Sequence, residues 1–229
     1  MSRVVKKDFK ELIEYIEKFN LKPLLKENGY SEIISTYHKK YFSFFVFVTE
    51  LETSLLEKEY LFLKEVNSDL ITSLFHLTTG NYKSSKLLLR SSIECYLKGF
   101  NLTWIPDIDK EKSVYEIFDK IKVLPYYNNE PFKSEFNKIH KVYKTLCKDV
   151  HTAEKVNMAN INSLDFFPKY SKNKAQEITA LILKLIPTYC FLLANKYNSK
   201  FHKMHHSHKE IILFSVEKKL RPIVMNTVE

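Results

Sequence analysis

Three features of the sequence predict an all-α protein built as a helical bundle. The 229 residues include only three glycines, whereas a β-rich fold of this length needs more of them in its turns. Apolar residues recur three and four positions apart through most segments, which is helical spacing. A content of 45% hydrophobic and 14% aromatic residues supplies a core. We expect one domain over residues 1–200 and a basic, histidine-rich tail with a short terminal element over residues 201–229.

The first half of the chain predicts two helical segments. Apolar spacing between Lys6 and Phe19 indicates the first. Ser31 offers an N-cap to the stretch "EIISTYHKKYFSFFVFVTELETSLLEKEYLFLKEV". "YFSFFVFV" resembles a strand locally, but its flanks are helical in period and no turn interrupts them. We therefore expect one long buried helix that continues to Gly80, a residue suited to the position after a helix end.

The second half predicts three longer helices and one short helix. "YKSSKLLLRSSIECYLKGFNL" is the most regular segment and ends near Pro106, which disfavours helix in the preceding residue. A short helix follows in "KEKSVYEIFDKIK", and Pro131 suits the start of a helix from Phe132 to His151. A long helix is expected from Lys174 to about Tyr197. The closing "IILFSVEKKLRPIV" fits either a short helix or a strand.

The composition constrains location and partners. Cys95, Cys147 and Cys190 are odd in number and widely spaced, which indicates neither a disulfide framework nor a CxxC metal site. The N-terminal "MSRVVKKDFKELIEYIEKF" is amphipathic rather than signal-like. The apolar run of residues 178–194 is interrupted by Lys184 and Pro187, so a buried helix is favoured over a membrane span. We expect a cytoplasmic protein without a membrane partner.

The net charge of +9 comes from 36 basic against 27 acidic residues, and only three of the basic residues are arginine. A basic balance favours contact with nucleic acid. Lysine lacks the planar fork that makes arginine the stronger phosphate ligand. Generic solvated lysines therefore stay open as the alternative.

A group of polar residues follows the border of the predicted helix that begins at Phe132. At about 100° per residue, His140, Lys144, Cys147 and His151 share one flank, spaced by 4, 3 and 4 residues. On the earlier helix, Arg90 and Glu94 lie four apart at a similar border and can pair. If the two helices pack against each other, these groups converge at the seam between them.

Such a seam has several chemical interpretations. Arg90 can neutralise phosphate charge, and His151 can act as general acid or base because its ordinary pKa lies near neutrality. A satisfied polar seam without function explains the same residues. A nucleophilic role for Cys147 lacks a surrounding Cys–His–Asn pattern, and a zinc site would need further ligands. No cofactor is expected.

Two quoted segments, "GNYKSSKLLLRSSIECYLKGFNL" and "YKTLCKDVHT", resemble the HEPN-like helical proteins of bacteria and their abortive-infection, AbiV-type relatives. The resemblance covers about residues 71–153. The shared features are a helix with an Arg and then a Glu four later, filled by Arg90 and Glu94, and a later Tyr-x-x-Leu-x-x-x-x-His helix. Tyr143, Leu146 and His151 fill that second pattern.

This resemblance implies a four- to five-helix bundle with additional N- and C-terminal helices, homodimerisation, and metal-independent RNA cleavage in antiphage or toxin-type systems. The catalytic signature of that family is an Arg, four to six residues, then a His. Lys144, separated from His151 by six residues, is the nearest form here. His151, Arg90 and Lys144 are the expected catalytic residues, and Glu94, Tyr143, Cys147 and His140 the expected binding residues.

Two functions from different classes follow. One is RNA binding or RNA cleavage, with a second copy of the chain and a protein of the same defence system as further partners. The other is a non-catalytic helical interaction or scaffold subunit. The tail cluster His202, His205, His206 and His208 admits three roles: a divalent metal site, a flexible basic arm that contacts nucleic acid or a partner, and a disordered linker.

Overall fold

The computed structural model describes residues 2–18, 21–150 and 169–226, and every regular element in these ranges is helical. The prediction of an all-α bundle is confirmed. The α-helices of the described ranges are α1 (Arg3–Lys18), α2 (Tyr30–Leu51), α3 (Glu57–Thr78), α4 (Tyr82–Asn101), α5 (Val114–Lys122), α6 (Phe132–Val150), α7 (Lys172–Lys196), α8 (Asn198–Lys203), α9 (His206–Ser215) and α10 (Arg221–Met225).

Helix α7 lies at the centre of the bundle and contacts α2, α4, α6 and α9. Helices α3 and α4 form the most extensive helix pair. Their close approach depends on Gly99, since a Cβ at this position would lie 2.8 Å from the Cβ of Phe62. Because real carbon atoms do not approach so closely, a larger residue at position 99 would push the two helices apart.

The prediction of one helix from Ser31 to Gly80 is wrong, because the chain breaks between α2 and α3. A short 3₁₀ turn covers Glu52–Ser54, and Leu56 is extended before α3 begins. The Glu59 carboxylate accepts the backbone N–H of Leu56 at 3.1 Å and so caps α3. Both helices have apolar residues at their facing ends, so the hydrophobic pattern runs on across the break.

The predicted helix ends were partly correct. Gly80 has a φ of +76° just past α3, as expected for the left-handed position after a helix. The N-cap of α2 is Gly29, not Ser31, which lies within the first turn of the helix. The Ser31 hydroxyl donates instead to the carbonyl of Leu25, at 3.4 Å.

Helix α7 is the one described helix that is long and apolar enough, by length and composition, to cross a membrane. Of its most apolar stretch, 78% is buried within the fold. Its apolar residues therefore serve the core, as expected for the central helix of a bundle.

The described C-terminal segment packs on the bundle, which differs from two of the three roles open to the tail, a flexible basic arm and a disordered linker. Helices α8, α9 and α10 place Phe201, Ile212 and Val224 in the main core, each fully buried. The closing segment, which fitted either helix or strand by sequence, is helical. Apolar residues spaced along this basic segment provide the driving force for its packing.

Candidate functional site

Helices α4 and α6 pack against each other, and Arg90 of α4 meets Tyr143 of α6. Nη2 of Arg90 donates a hydrogen bond of 3.0 Å to the hydroxyl of Tyr143, and the guanidinium carbon lies 5.4 Å from the centroid of the Tyr143 ring. The same nitrogen lies 3.1 Å from Oε1 of Glu94. Cys147 contacts both Arg90 and Tyr143. We call these four residues the α4–α6 seam.

The electrostatics of the seam keep Arg90 charged and Tyr143 neutral. Burial disfavours the charge on Arg90, but the hydrogen bond to Tyr143 and the carboxylate of Glu94 outweigh it and raise the pKa of the guanidinium. Burial also raises the pKa of Tyr143, although Arg90 acts in the opposite direction. Nε of Arg90 is buried and, among the described residues, has no hydrogen-bond partner. Arg90 is thus held in place through Nη2, while its buried Nε–H donor is unused.

His140 and Lys144 lie one turn apart on α6, beside the seam. The His140 ring stacks on Phe118 of α5, with 4.3 Å between the ring centroids. Burial lowers the pKa of His140, the positive charge of Lys144 lowers it further, and Asp119 opposes this shift. The imidazole is therefore neutral at pH 7. Lys144 is exposed.

Two further predicted site residues are Cys147, which is buried, and His151, which the structure does not describe. Cys147 is only 7% exposed, and a nucleophilic thiolate needs access to its substrate. Its burial weighs against the thiol-enzyme interpretation. His151 lies outside the described residues, so its place relative to Arg90 stays a prediction.

The sequence reasoning missed a basic face on α6. Lys133, Lys141, Lys144 and Lys148 are all exposed along this helix, and none of them forms an ion pair within the described ranges. Between Phe132 and Lys148 the only acidic residue is Glu135. Glu135 is 1% exposed and accepts a 2.6 Å hydrogen bond from Thr188 in the core. The α6 basic face, as we name these four lysines, therefore carries uncompensated positive charge.

A signal for this face was present in the sequence. Lys141 and Lys144 have no acidic residue three or four positions away, so neither can form the usual ion pair along a helix. By contrast, Lys7 and Lys10 of α1 each have a glutamate four positions later, at N–O distances of 4.0 and 3.6 Å. The spacing of acidic residues therefore distinguishes lysines that form ion pairs within their own helix from lysines whose charge is available to a binding partner.

The tail histidines point to different neighbours. Nδ1 of His208 lies 2.7 Å from Oε1 of Glu50, and the His205 side chain accepts the backbone N–H of Ser207 at the start of α9. Within the described ranges, no group of three His, Cys, Asp or Glu side chains is placed to hold a metal ion. The His205 cap and the His208–Glu50 pair give these two side chains structural roles.

Comparison with known proteins found no match to this chain. No protein-family model matches the chain, and neither a curated protein nor a solved structure matches it. The relation to HEPN-like proteins therefore rests on Arg90, Glu94, Tyr143, Leu146 and His151 and stays a prediction.

Proposed function

We propose that this protein binds single-stranded RNA along α6 and cleaves it without a metal ion, in a bacterial antiphage or toxin-type system. The observation that supports the proposal is the α6 basic face, which contains no exposed acidic residue and lies on the helix whose Tyr143 hydroxyl accepts a hydrogen bond from Arg90. Unpaired lysines on one face attract the phosphate backbone of nucleic acid.

The dimensions of the face suit an extended strand. Lys133 and Lys148 are 15 positions apart on one helix, so their backbones are separated by about 22 Å at 1.5 Å per residue. Several phosphates of one strand fit within that length. Binding through lysines positions the strand without selecting its sequence.

The proposed cleavage uses the 2′-hydroxyl of the RNA itself. His151 takes the proton from the 2′-hydroxyl, the 2′-oxygen attacks the adjacent phosphorus, and the bond to the 5′-oxygen breaks. The departing oxygen takes a proton from water, which leaves a 2′,3′-cyclic phosphate. Arg90 and Lys144 stabilise the charge that develops on the phosphorane. Support for this step comes from the fixed position of the Arg90 guanidinium against Tyr143.

The first test measures RNA affinity against salt concentration. Changing Lys133, Lys144 and Lys148 to Gln should lower the slope of log affinity against log salt by about 2, at roughly 0.7 per phosphate contact on a single strand. The matched control changes Lys7, Lys10 and Lys22 to Gln; each of these lysines already pairs with a glutamate. An equal loss of slope in both variants would contradict binding at α6.

The second test follows cleavage of end-labelled RNA in EDTA by the wild type, His151→Ala and Arg90→Ala, each checked for helical circular dichroism. We expect cleavage by the wild type and its loss in both variants. Absent wild-type cleavage, or cleavage unchanged in both variants, would refute the catalytic part of the proposal and leave RNA binding to the first test.

A second candidate function is a non-catalytic interaction subunit, acting as a homodimer or with a protein of the same system. The observation that favours it is the engagement of Arg90 by Glu94 and Tyr143, since a phosphate would have to compete with that carboxylate. Light scattering of the purified protein would establish whether it is a dimer. Absent RNA affinity at low salt, with a stable dimer, would favour this candidate.

A further inference from the structure

A cavity of about 340 Å³ opens between α5 and α6, next to the basic face. Its inner wall contains the rings of Phe118 and Phe136, both nearly buried. His140 lines the cavity as well, and its ring stacks on Phe118 with 29° between the ring planes. An aromatic wall that ends in a half-exposed, neutral imidazole suits a flat, polar ring system.

The rim of the cavity carries polar groups without an internal role. The amides of Asn128 and Asn137 are exposed and lie on the lining. Within the described residues neither side-chain amide makes a hydrogen bond. Each amide offers both a donor and an acceptor, which is the pattern that the edge of a nucleobase requires.

The charges on the rim suit an anion on the side of α6. Lys133 lines the cavity and has no ion-pair partner among the described residues. Lys122 also lines it but pairs with Asp119, at 2.6 Å between Nζ and Oδ1. The carboxylate of Asp119 repels an anion on the α5 side, so Lys133 is the lysine available to a phosphate.

Direct side-chain contacts link the wall of the cavity to the α4–α6 seam. The ring of Phe118 lies 5.4 Å from that of Tyr143, and the Tyr143 hydroxyl is bound to Arg90. On α6, Lys144 follows His140 by one turn, about 6 Å along the axis. A strand with one nucleotide in the cavity would thus extend toward Lys144 and Arg90.

We propose that this cavity binds one nucleotide of a single-stranded RNA, with the base beside His140, the base edge at Asn128 and Asn137, and a phosphate at Lys133. This inference rests on the proposed function, which supplies the nucleotide as part of an RNA strand. A free nucleotide has the same base and phosphate and is the alternative ligand. The cavity adds a base-dependent contact to the backbone contacts of the lysines.

The test compares two 2′-O-methyl oligonucleotides, which lack the attacking hydroxyl: one complete and one with abasic sites. Fluorescence anisotropy should show that the wild type binds the complete strand about tenfold more tightly. His140→Ala and Asn137→Ala should bring this ratio close to one and leave affinity for the abasic strand unchanged. The control variant, with Lys141 and Lys148 changed to Gln, should bind both strands more weakly and keep the ratio of the two affinities.

An unchanged ratio in Asn137→Ala and His140→Ala would overturn the inference while leaving the proposed RNA binding intact. Asn137 is exposed, so its variant should fold even if His140→Ala does not. If neither strand binds, the proposed function fails. Titration with AMP and UMP, followed by amide NMR, then decides: saturable shifts that Asn137→Ala removes would support a free-nucleotide site, and no shifts would overturn it.

Discussion

Lys196 and Lys144 show two opposite uses of the same side chain. Lys196 is nearly buried, with Nζ 2.8 Å from Oε1 of Glu59 and 2.6 Å from the carbonyl oxygen of Phe100. The Phe100 and Trp104 rings also face it, with centroids 5.0 and 4.8 Å from Nζ. Lys144 is exposed on α6 and has no ion-pair partner among the described residues.

The difference separates charges that the fold must satisfy from charges that it leaves available. A buried ammonium is costly unless a carboxylate and further hydrogen bonds compensate it. An exposed lysine is solvated by water and contributes little to folding. The clustering of the α6 basic face therefore has no explanation in stability, which is why we assign it to a partner.

Breaking the buried pair should give the largest effect. Glu59→Ala leaves Lys196 without its carboxylate and should lower the free energy of unfolding by about 3–5 kcal/mol, measured by urea denaturation. Glu59 also accepts from the Tyr197 hydroxyl at 3.0 Å, so Glu59→Gln, which keeps an acceptor, should cost less. A loss below about 1 kcal/mol in Glu59→Ala would show that water enters this site.

Asp69 is a buried acid whose carboxylate lacks a full set of hydrogen-bond partners. Replacing it with a neutral residue should stabilise the protein. Among the described residues Oδ2 of Asp69 has no hydrogen-bond partner. Burial raises the pKa of this carboxyl to about 6, and Glu65 and Glu94 contribute to the shift, while Ser91 opposes it. The folded protein thus binds this proton more tightly than the unfolded chain, so stability falls as pH rises from about 4 to 6.

Asp69→Asn should remove that pH dependence and raise the free energy of unfolding at pH 7 by on the order of 2 kcal/mol. Thermal unfolding of both proteins at pH 4.5 and pH 7.5 provides the measurement. An equal change of Tm with pH in the two proteins would show that Asp69 titrates normally.

Glu217 provides a smaller effect of opposite sign. The Lys138 ammonium, 2.6 Å away, holds the pKa of Glu217 below its usual value. This stabilisation is present above the unfolded pKa, about 4.3, and is lost as pH falls through the lower pKa of the folded state. Because Glu217 is partly exposed, Glu217→Gln should lower the free energy of unfolding by less than about 1 kcal/mol at pH 7. This loss should shrink as the pH falls below about 4.

The exposed lysines should give the smallest effect on stability. Changing Lys133, Lys144 and Lys148 to Gln should leave the free energy of unfolding within about 0.5 kcal/mol of the wild type. Urea denaturation alongside the RNA titrations checks this expectation. A large loss of stability would mean that these lysines have structural partners, and the contrast with Lys196 would no longer hold.

The sequence by itself determined the fold class, most helices and the pairing of Arg90 with Glu94. Helices α4, α6 and α7 follow from apolar residues at helical spacing, and Gly80 marks a helix end because its conformation disfavours a side chain. Arg90 and Glu94 pair as their spacing of four predicts. These features depend on residues close in the chain, where geometry is set by the helix itself.

Only the tertiary structure decided the features that depend on contacts between distant residues. It joined Arg90 to Tyr143, buried Cys147, packed the basic tail on the core and opened the cavity beside His140. It also divided α2 from α3 within a continuous apolar pattern. Helical periodicity states which residues share a face but not which faces meet, and packing against other helices settles that choice.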